Sequence, residues 1–244
     1  MLGGIFTGGA TASARGVRMM ATGLAKEWFN TADVSSVDAD AHAIAEFYRS
    51  RGLRYGVRVP AGMAWAHGVR VVRLRLMFVL RGALRAVEPP PTVYIEAVGP
   101  RDLDEVVAVD CAAFGSGPAT VGPWIEGLVH APDDSVTFAC ARRGSAIVGV
   151  GYAIHANGAG GRSAGIGGIG VTPGARRAGI GAALTTWLVQ RSFGAGAQLA
   201  QLAADDERAV RLYSRLGFVE TGSLDVYVEE ASAAGPPRTG ADGR

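Results

Sequence analysis

Residues 165–184 read GIGGIGVTPGARRAGIGAAL, two glycine clusters in one short run. Glycine is favoured where a backbone turns sharply or something comes close to it. Gly165, Gly167 and Gly170 fit G-x-G-x-x-G, and Arg176, Gly179 and Gly181 fit R-x-x-G-x-G. An anion-binding turn needs a helix directly beyond it, because the unpaired N–H groups of the first helical turn and the positive end of the dipole hold the charge. The first cluster is followed by VTP. The second opens into Ile180, Ala183, Leu184, Trp187 and Leu188, the stripe of an amphipathic helix that ends near Gly194. The second cluster is therefore read as the anion site, and the first as close backbone approach within a strand.

The surrounding order fixes the fold class. TVYIEAV at 92–98 reads as a strand. RDLDEVVAVDCAAF at 101–114 reads as a helix on Leu103, Val106, Val107 and Cys111, and a shorter helix is expected around 124–129. SVTFACARRGSAIVGVGYAIH reads as two strands joined at Arg143-Gly144, followed by a glycine-rich loop, NGAGG, at 157–161. QLAQLAA at 198–204 is a strand, DDERAVRLYSRLG at 205–217 a helix closed by glycine, and LDVYVE at 224–229 a last strand. The expected fold is α/β (α+β) with a mixed sheet.

Two segments of this domain resemble the GNAT N-acetyltransferase superfamily. VTPGARRAGIGAAL at 171–184 looks like its acetyl-CoA-binding segment, and Ala209, Leu212, Tyr213, Gly217 and Phe218 match a second family pattern, A-x-x-L-Y-x-x-x-G-F. The resemblance, over about residues 92–229, implies acyl transfer from acetyl-CoA to a small-molecule or peptide amine without a covalent enzyme intermediate. It implies that Ile169, Gly170 and Val171 offer backbone groups to the pantetheine arm and the thioester carbonyl. It implies also that the loop and helix start, Arg176, Arg177, Ala178, Gly179, Ile180, Gly181 and Ala182, wrap the diphosphate. Tyr213 becomes the general acid for the departing thiolate, although a tyrosine on the stripe Ala209, Leu212, Tyr213 and Leu216 also reads as core. Where the family commonly has Asn this chain has Asp206, either a ligand-side acceptor or simply a favourable charge at a helix start. The strand SAGIGGIGV lacks the glutamate that many relatives use as a base. His155 is either a base acting through water or an exposed loop histidine. The second class left open is a non-catalytic CoA-binding module.

Upstream, the prolines of EPPP at 88–91 force an extended segment, so the expected domains are 1–87, a linker 88–91, 92–230, and a disordered tail 231–244. DADAHAIAEFYRSRGL at 38–53 aligns with AADDERAVRLYSRLGF at 203–218, setting Tyr48 on Tyr213 and Gly52 on Gly217. The upstream segment is thus read as a degenerate partial copy, a helix followed by strands at 55–59 and 71–80. Only about 40 residues precede that helix, too few for the strands and phosphate loop of the downstream copy, and Tyr48 is read as structural.

Composition excludes other partners. Lys plus Arg number 24 against 22 Asp plus Glu, a net +2, so no nucleic acid is expected. Cys111 and Cys140 form no C-x-x-C pair and the four histidines are scattered, so no metal is expected. VVRLRLMFVL at 71–80 is too short to span a bilayer and carries Arg73 and Arg75. The first residues lack a basic n-region and a sustained apolar core, so no signal peptide is read and a cytoplasmic location is expected.

Overall fold

The computed structural model describes residues 5–229; the expected tail at 231–244 lies outside them. These residues form two compact units, one of 5–76 and 221–229, the other of 77–220.

The first unit contains β1 (Ala10–Ala14), β2 (Val17–Ala21), β3 (Thr31–Val34), α1 (Ala41–Arg49), β4 (Gly56–Pro60), most of β5 (Val69–Leu80) and most of β11 (Val219–Val228). β1 and β2 are antiparallel, as are β2 and β3, while β3 and β4 are parallel neighbours joined through α1. Its core gathers Val17, Met19, Ile44, Tyr48, Val57 and Val59. Three strands therefore precede α1, which corrects the expectation that too little chain lay there. They are only four or five residues each, and ATASA carries a single β-branched residue, so no alternation marks them.

The second unit contains β6 (Val93–Ala97), α2 (Leu103–Phe114), α3 (Pro118–Val129), β7 (Val136–Arg143), β8 (Ala146–Gly158), β9 (Gly161–Val171), α4 (Ile180–Gly194), β10 (Leu199–Ala204) and α5 (Glu207–Arg215). β6 to β9 form an antiparallel meander, and β9 returns to a parallel neighbour, β10, through α4. The turn after β7 is tight, with Gly144 at φ 61°. The expected NGAGG loop is a tight turn too, since Gly158 pairs with Gly161. α3 begins earlier than expected because Pro118 starts it, where a missing N–H costs nothing.

α4 is buried on nearly every side. Ile180, Ala183, Leu184 and Leu188 are at most 1% exposed, and Thr185, Thr186 and Ser192 are buried with them. The Thr185 and Ser192 hydroxyls donate to the Gly181 and Leu188 carbonyls on the same helix, at 2.8 and 2.7 Å, which removes the penalty of burying them.

The division between units falls inside β5 rather than at the prolines of 88–91. Met77 and Val79, each 1% exposed, already belong to the core of the second unit. The connection β1-β2-β3-α1-β4 repeats β7-β8-β9-α4-β10, so α1 corresponds by topology to α4 and not, as its Tyr-x-x-x-Gly pattern led us to expect, to α5. The loop before α1 has no glycine and ends at Asp40, whose carboxylate accepts the Ala43 N–H at 2.9 Å. That helix start is already capped by a negative charge. Among the described residues no helix is long and apolar enough to cross a membrane.

Candidate functional site

β9 shapes the site by parting from β10. The two strands pair only from Ser163–Leu199 to Gly165–Gln201, so the β9 edge beyond Gly165 is open on that side. On its other side the register with β8 slips: Val150 faces Gly170 but Tyr152 faces Gly167. Two residues of β9, Gly168 and Ile169, thus oppose one of β8, which is a β-bulge. Gly168 takes φ 59°, and a Cβ on it would stand 2.5 Å from the Tyr152 ring. A Cβ on Gly170 would meet Ala113 and Phe114 at 2.9 Å. Gly167, Gly168 and Gly170 therefore meet the protein's own aromatic rings.

The second cluster is different. A 3₁₀ turn, Pro173–Ala175, leads to Arg177 at φ 64° and Gly179 at φ 82° before α4 begins. Left-handed residues between right-handed ones turn successive N–H groups to one side. Arg176 to Gly179 are exposed, and the first amide of α4 to find an acceptor is Ala183, which donates to Gly179 O at 3.0 Å. Among the described residues no backbone carbonyl takes the N–H groups from Arg177 to Ala182.

A cavity of about 320 Å³ lies over this helix start. From β9 it takes Ile169, Gly170 and Val171. The loop and α4 contribute Arg176, Arg177, Gly179, Ile180, Gly181 and Ala182, and α5 with its cap contributes Asp206 and Tyr213. Of the residues expected to bind, Ala178 alone does not line it. The sequence reading missed Arg208 and Leu212 from α5, and Ala113 and Phe114 from α2. The glycine at 115, a left-handed cap at φ 72° that ends α2 beside the site, was the available signal for the last two.

Three side chains do something other than expected. The Arg176 guanidinium donates to Val171 O at 3.1 Å and Ala113 O at 3.0 Å. Ala113 O is among the last carbonyls of α2, which have no acceptor role within the helix, so Arg176 ties the end of α2 to the end of β9. Asp206 caps α5, its carboxylate accepting the Ala209 N–H at 2.7 Å. His155 is no loop residue: it lies within β8 at 6% exposure, with Nε2 3.0 Å from the Thr137 hydroxyl. Burial, then the charge of Arg162, lowers its pKa. Three residues from Tyr152, it faces the opposite side of the sheet.

Tyr213 is half-buried in the cavity, its ring 5.8 Å from that of Phe218. Burial, and after it the charges of Asp205 and Asp206, push its phenol up to about 12. α2, the opposite wall, is anchored at its other end by Arg142, whose guanidinium donates to Glu96 at 2.6 Å, Asp102 at 2.7 Å and Glu105 at 3.4 Å. Glu105 also accepts the Ile147 N–H at 2.7 Å. One buried guanidinium thus links β6, β7 and β8 to the start of α2 through charge-assisted bonds. Among the described residues, no group of three or more His, Cys, Asp or Glu could hold a metal ion.

Residues 108–218 match the model of the acetyltransferase (GNAT) family. A GCN5-related N-acetyltransferase from Kribbella flavida aligns with a TM-score of 0.70 at 18% identity, covering 91% of this chain and 89% of that one. A functionally unknown conserved protein from Staphylococcus epidermidis aligns at 0.67 and 18% identity, over 94% and 97%. A GCN5-related N-acetyltransferase from Sphaerobacter thermophilus aligns at 0.59 and 16%, over 89% and 81%. At such identities the likeness is one of fold, and it extends over the upstream residues as well. A comparison with curated proteins found no match. The family match covers the bulge, the open helix start and α5, and residues 108–218 are accordingly a domain of the GNAT acetyltransferase superfamily.

Proposed function

We propose that this domain transfers an acetyl group from acetyl-CoA to a small-molecule or peptide amine, by direct attack in a ternary complex in the cytoplasm. The observation that carries the reading is the convergence on one cavity of an open helix start, an open strand edge and Tyr213. The unpaired N–H groups from Arg177 to Ala182 suit a diphosphate. The exposed Arg177 and Arg208 side chains add positive charge there. A backbone N–H on the open edge between Ile169 and Val171 can receive the developing oxyanion.

The amine nitrogen attacks the thioester carbonyl carbon, the C–N bond forms, and the C–S bond breaks. The attacking amine loses one proton to solvent, the thiolate takes one from the Tyr213 phenol, and solvent returns a proton to Tyr213. A phenol held near 12 keeps its proton throughout the neutral range, so Tyr213 is always able to donate to the leaving sulfur. A thiol of pKa about 8.5 is the stronger acid in water. The burial that raises the phenol disfavours a thiolate beside it as well, which narrows the difference.

Thiol release from acetyl-CoA across a panel of amines, with wild type and Tyr213→Phe, tests this. The variant is expected to lose roughly 100-fold or more in turnover, the range for a general acid, while its acetyl-CoA affinity changes little. Equal turnover would remove Tyr213 from the mechanism. Acetyl-CoA binding without release for any amine would make the domain a non-catalytic CoA-binding module.

A further inference from the structure

The guanidinium of Arg176 reaches two carbonyls at once. Its Nε donates to Val171 O at 3.1 Å and its Nη2 to Ala113 O at 3.0 Å, so one planar fork bridges the end of β9 and the last turn of α2. Beyond that turn the chain runs through Gly115-Ser116-Gly117 before Pro118 opens α3. Gly115 sits at φ 72° and returns its N–H to Cys111 O at 2.8 Å. A serine between two glycines restrains the backbone little. The start of α2 is held by Arg142 and its end by Arg176.

What this tie fixes is a wall of the cavity. Ala113 and Phe114 line it opposite Ile169, Gly170 and Val171. The fit between the two sides is close, since a Cβ on Gly170 would stand 2.9 Å from both the Ala113 Cβ and the Phe114 ring. A small shift of the end of α2 therefore changes the space over the β9 bulge. The helix start has its own means of holding an anion. Among the described residues no backbone carbonyl takes the N–H groups from Arg177 to Ala182, and the exposed Arg177 and Arg208 bring positive charge to the same cavity. The Arg176 side chain is left to its two carbonyls.

We propose that Arg176 is a positioning residue: through the last turn of α2 it holds Phe114 against the β9 bulge, and so limits the acyl-CoA that the cavity takes to one with a short acyl group. The inference rests on the acetyl-transfer reading for the kind of ligand. It departs from what the family resemblance implied, that the arginine of R-x-x-G-x-G wraps the diphosphate. Arg176 acts through Phe114, and the aromatic ring sets the limit.

Binding tests this without turnover. The full-length protein is titrated calorimetrically with CoA, acetyl-CoA and butyryl-CoA, using wild type, Arg176→Met, Arg176→Lys and Phe114→Ala. In Arg176→Met the ratio of butyryl-CoA to acetyl-CoA affinity is expected to rise roughly tenfold over wild type, the contribution of two newly buried methylene groups. Affinity for CoA itself should change by no more than about threefold, as for an exposed contact. Phe114→Ala should raise the ratio likewise, and the double variant should go little further, because both changes act on one wall. Without ligand, hydrogen exchange over residues 111–117 should quicken in Arg176→Met; unchanged exchange there overturns the proposal. So do shifts that add in the double variant. A CoA affinity that falls about tenfold or more in Arg176→Met and returns in Arg176→Lys, with the acyl ratio unmoved, puts the guanidinium on the diphosphate and overturns it too. An acyl ratio that moves as expected in a protein that releases thiol with no amine defeats the transfer reading alone. Thiol release by wild type with an unmoved ratio in Arg176→Met defeats the positioning role alone.

Discussion

A carboxyl that titrates at about 6 in the folded chain and near the ordinary 3.8 in the unfolded one makes stability depend on pH. The folded state binds this proton more tightly, so the contribution is fully present below about pH 4 and is lost as pH rises through 6. At pH 7.5 the ionised Asp110 costs up to about 3 kcal/mol, at 1.36 kcal/mol per pKa unit. Asp110→Asn removes the charge and keeps the shape. Scanning calorimetry should find it several degrees more stable than wild type at pH 7.5 and indistinguishable at pH 4; an equal difference at both would mean the carboxyl is well solvated. The position was invisible to periodicity, which set the stripe on Leu103, Val106, Val107 and Cys111. Counting apolar residues alone passes over a carboxylate within a buried face. Tyr48 and Tyr213 share a sequence pattern but not a setting. Tyr48 is fully buried and its hydroxyl exchanges bonds with the Met20 backbone at 3.1 and 3.2 Å, while Tyr213 opens on a cavity.

Among the elements, α4 and the strand before it give glycine opposite reasons. At Gly181 a Cβ would find ordinary contacts at 3.6 Å or more, and no unusual φ is needed, so nothing in the protein requires glycine there. Gly181→Ala should therefore hold or raise stability, by up to about 1 kcal/mol from helix propensity, while weakening CoA binding roughly tenfold or more by putting a methyl group at the ligand. At Gly168 both φ and the Tyr152 ring oppose a side chain, and Gly168→Ala should destabilise by about 1–3 kcal/mol. Urea unfolding paired with a CoA titration separates the two; loss of stability at Gly181 would show that the residue serves packing. The start of α4 was legible because a glycine turn followed by a helical stripe has few other readings. The bulge was not, since G-x-G-x-x-G reports that glycine is needed without reporting whether a ligand or a tyrosine ring lies above it.

At the scale of the whole chain, the prolines at 88–91 gave a clear boundary that the contacts do not follow. Proline ends a strand, but it does not say which core that strand has joined. β5, upstream of the prolines, neighbours β10 in the second unit and brings Met77 and Val79 into its core. A protein beginning at Pro90 would lack both side chains, each worth about 1.5–3 kcal/mol of burial, and would leave β10 with an open edge prone to pairing with other chains. Against a total stability of about 5–15 kcal/mol, such a loss is a large fraction. Residues 90–244 should therefore show no cooperative thermal transition and should aggregate, whereas residues 68–244, which keep the whole of β5, should unfold cooperatively and still bind CoA. Thermal circular dichroism and light scattering on the two proteins check this. A transition for 90–244 matching that of the full chain would mean that β5 is dispensable to the second unit, and that the boundary belongs at the prolines after all.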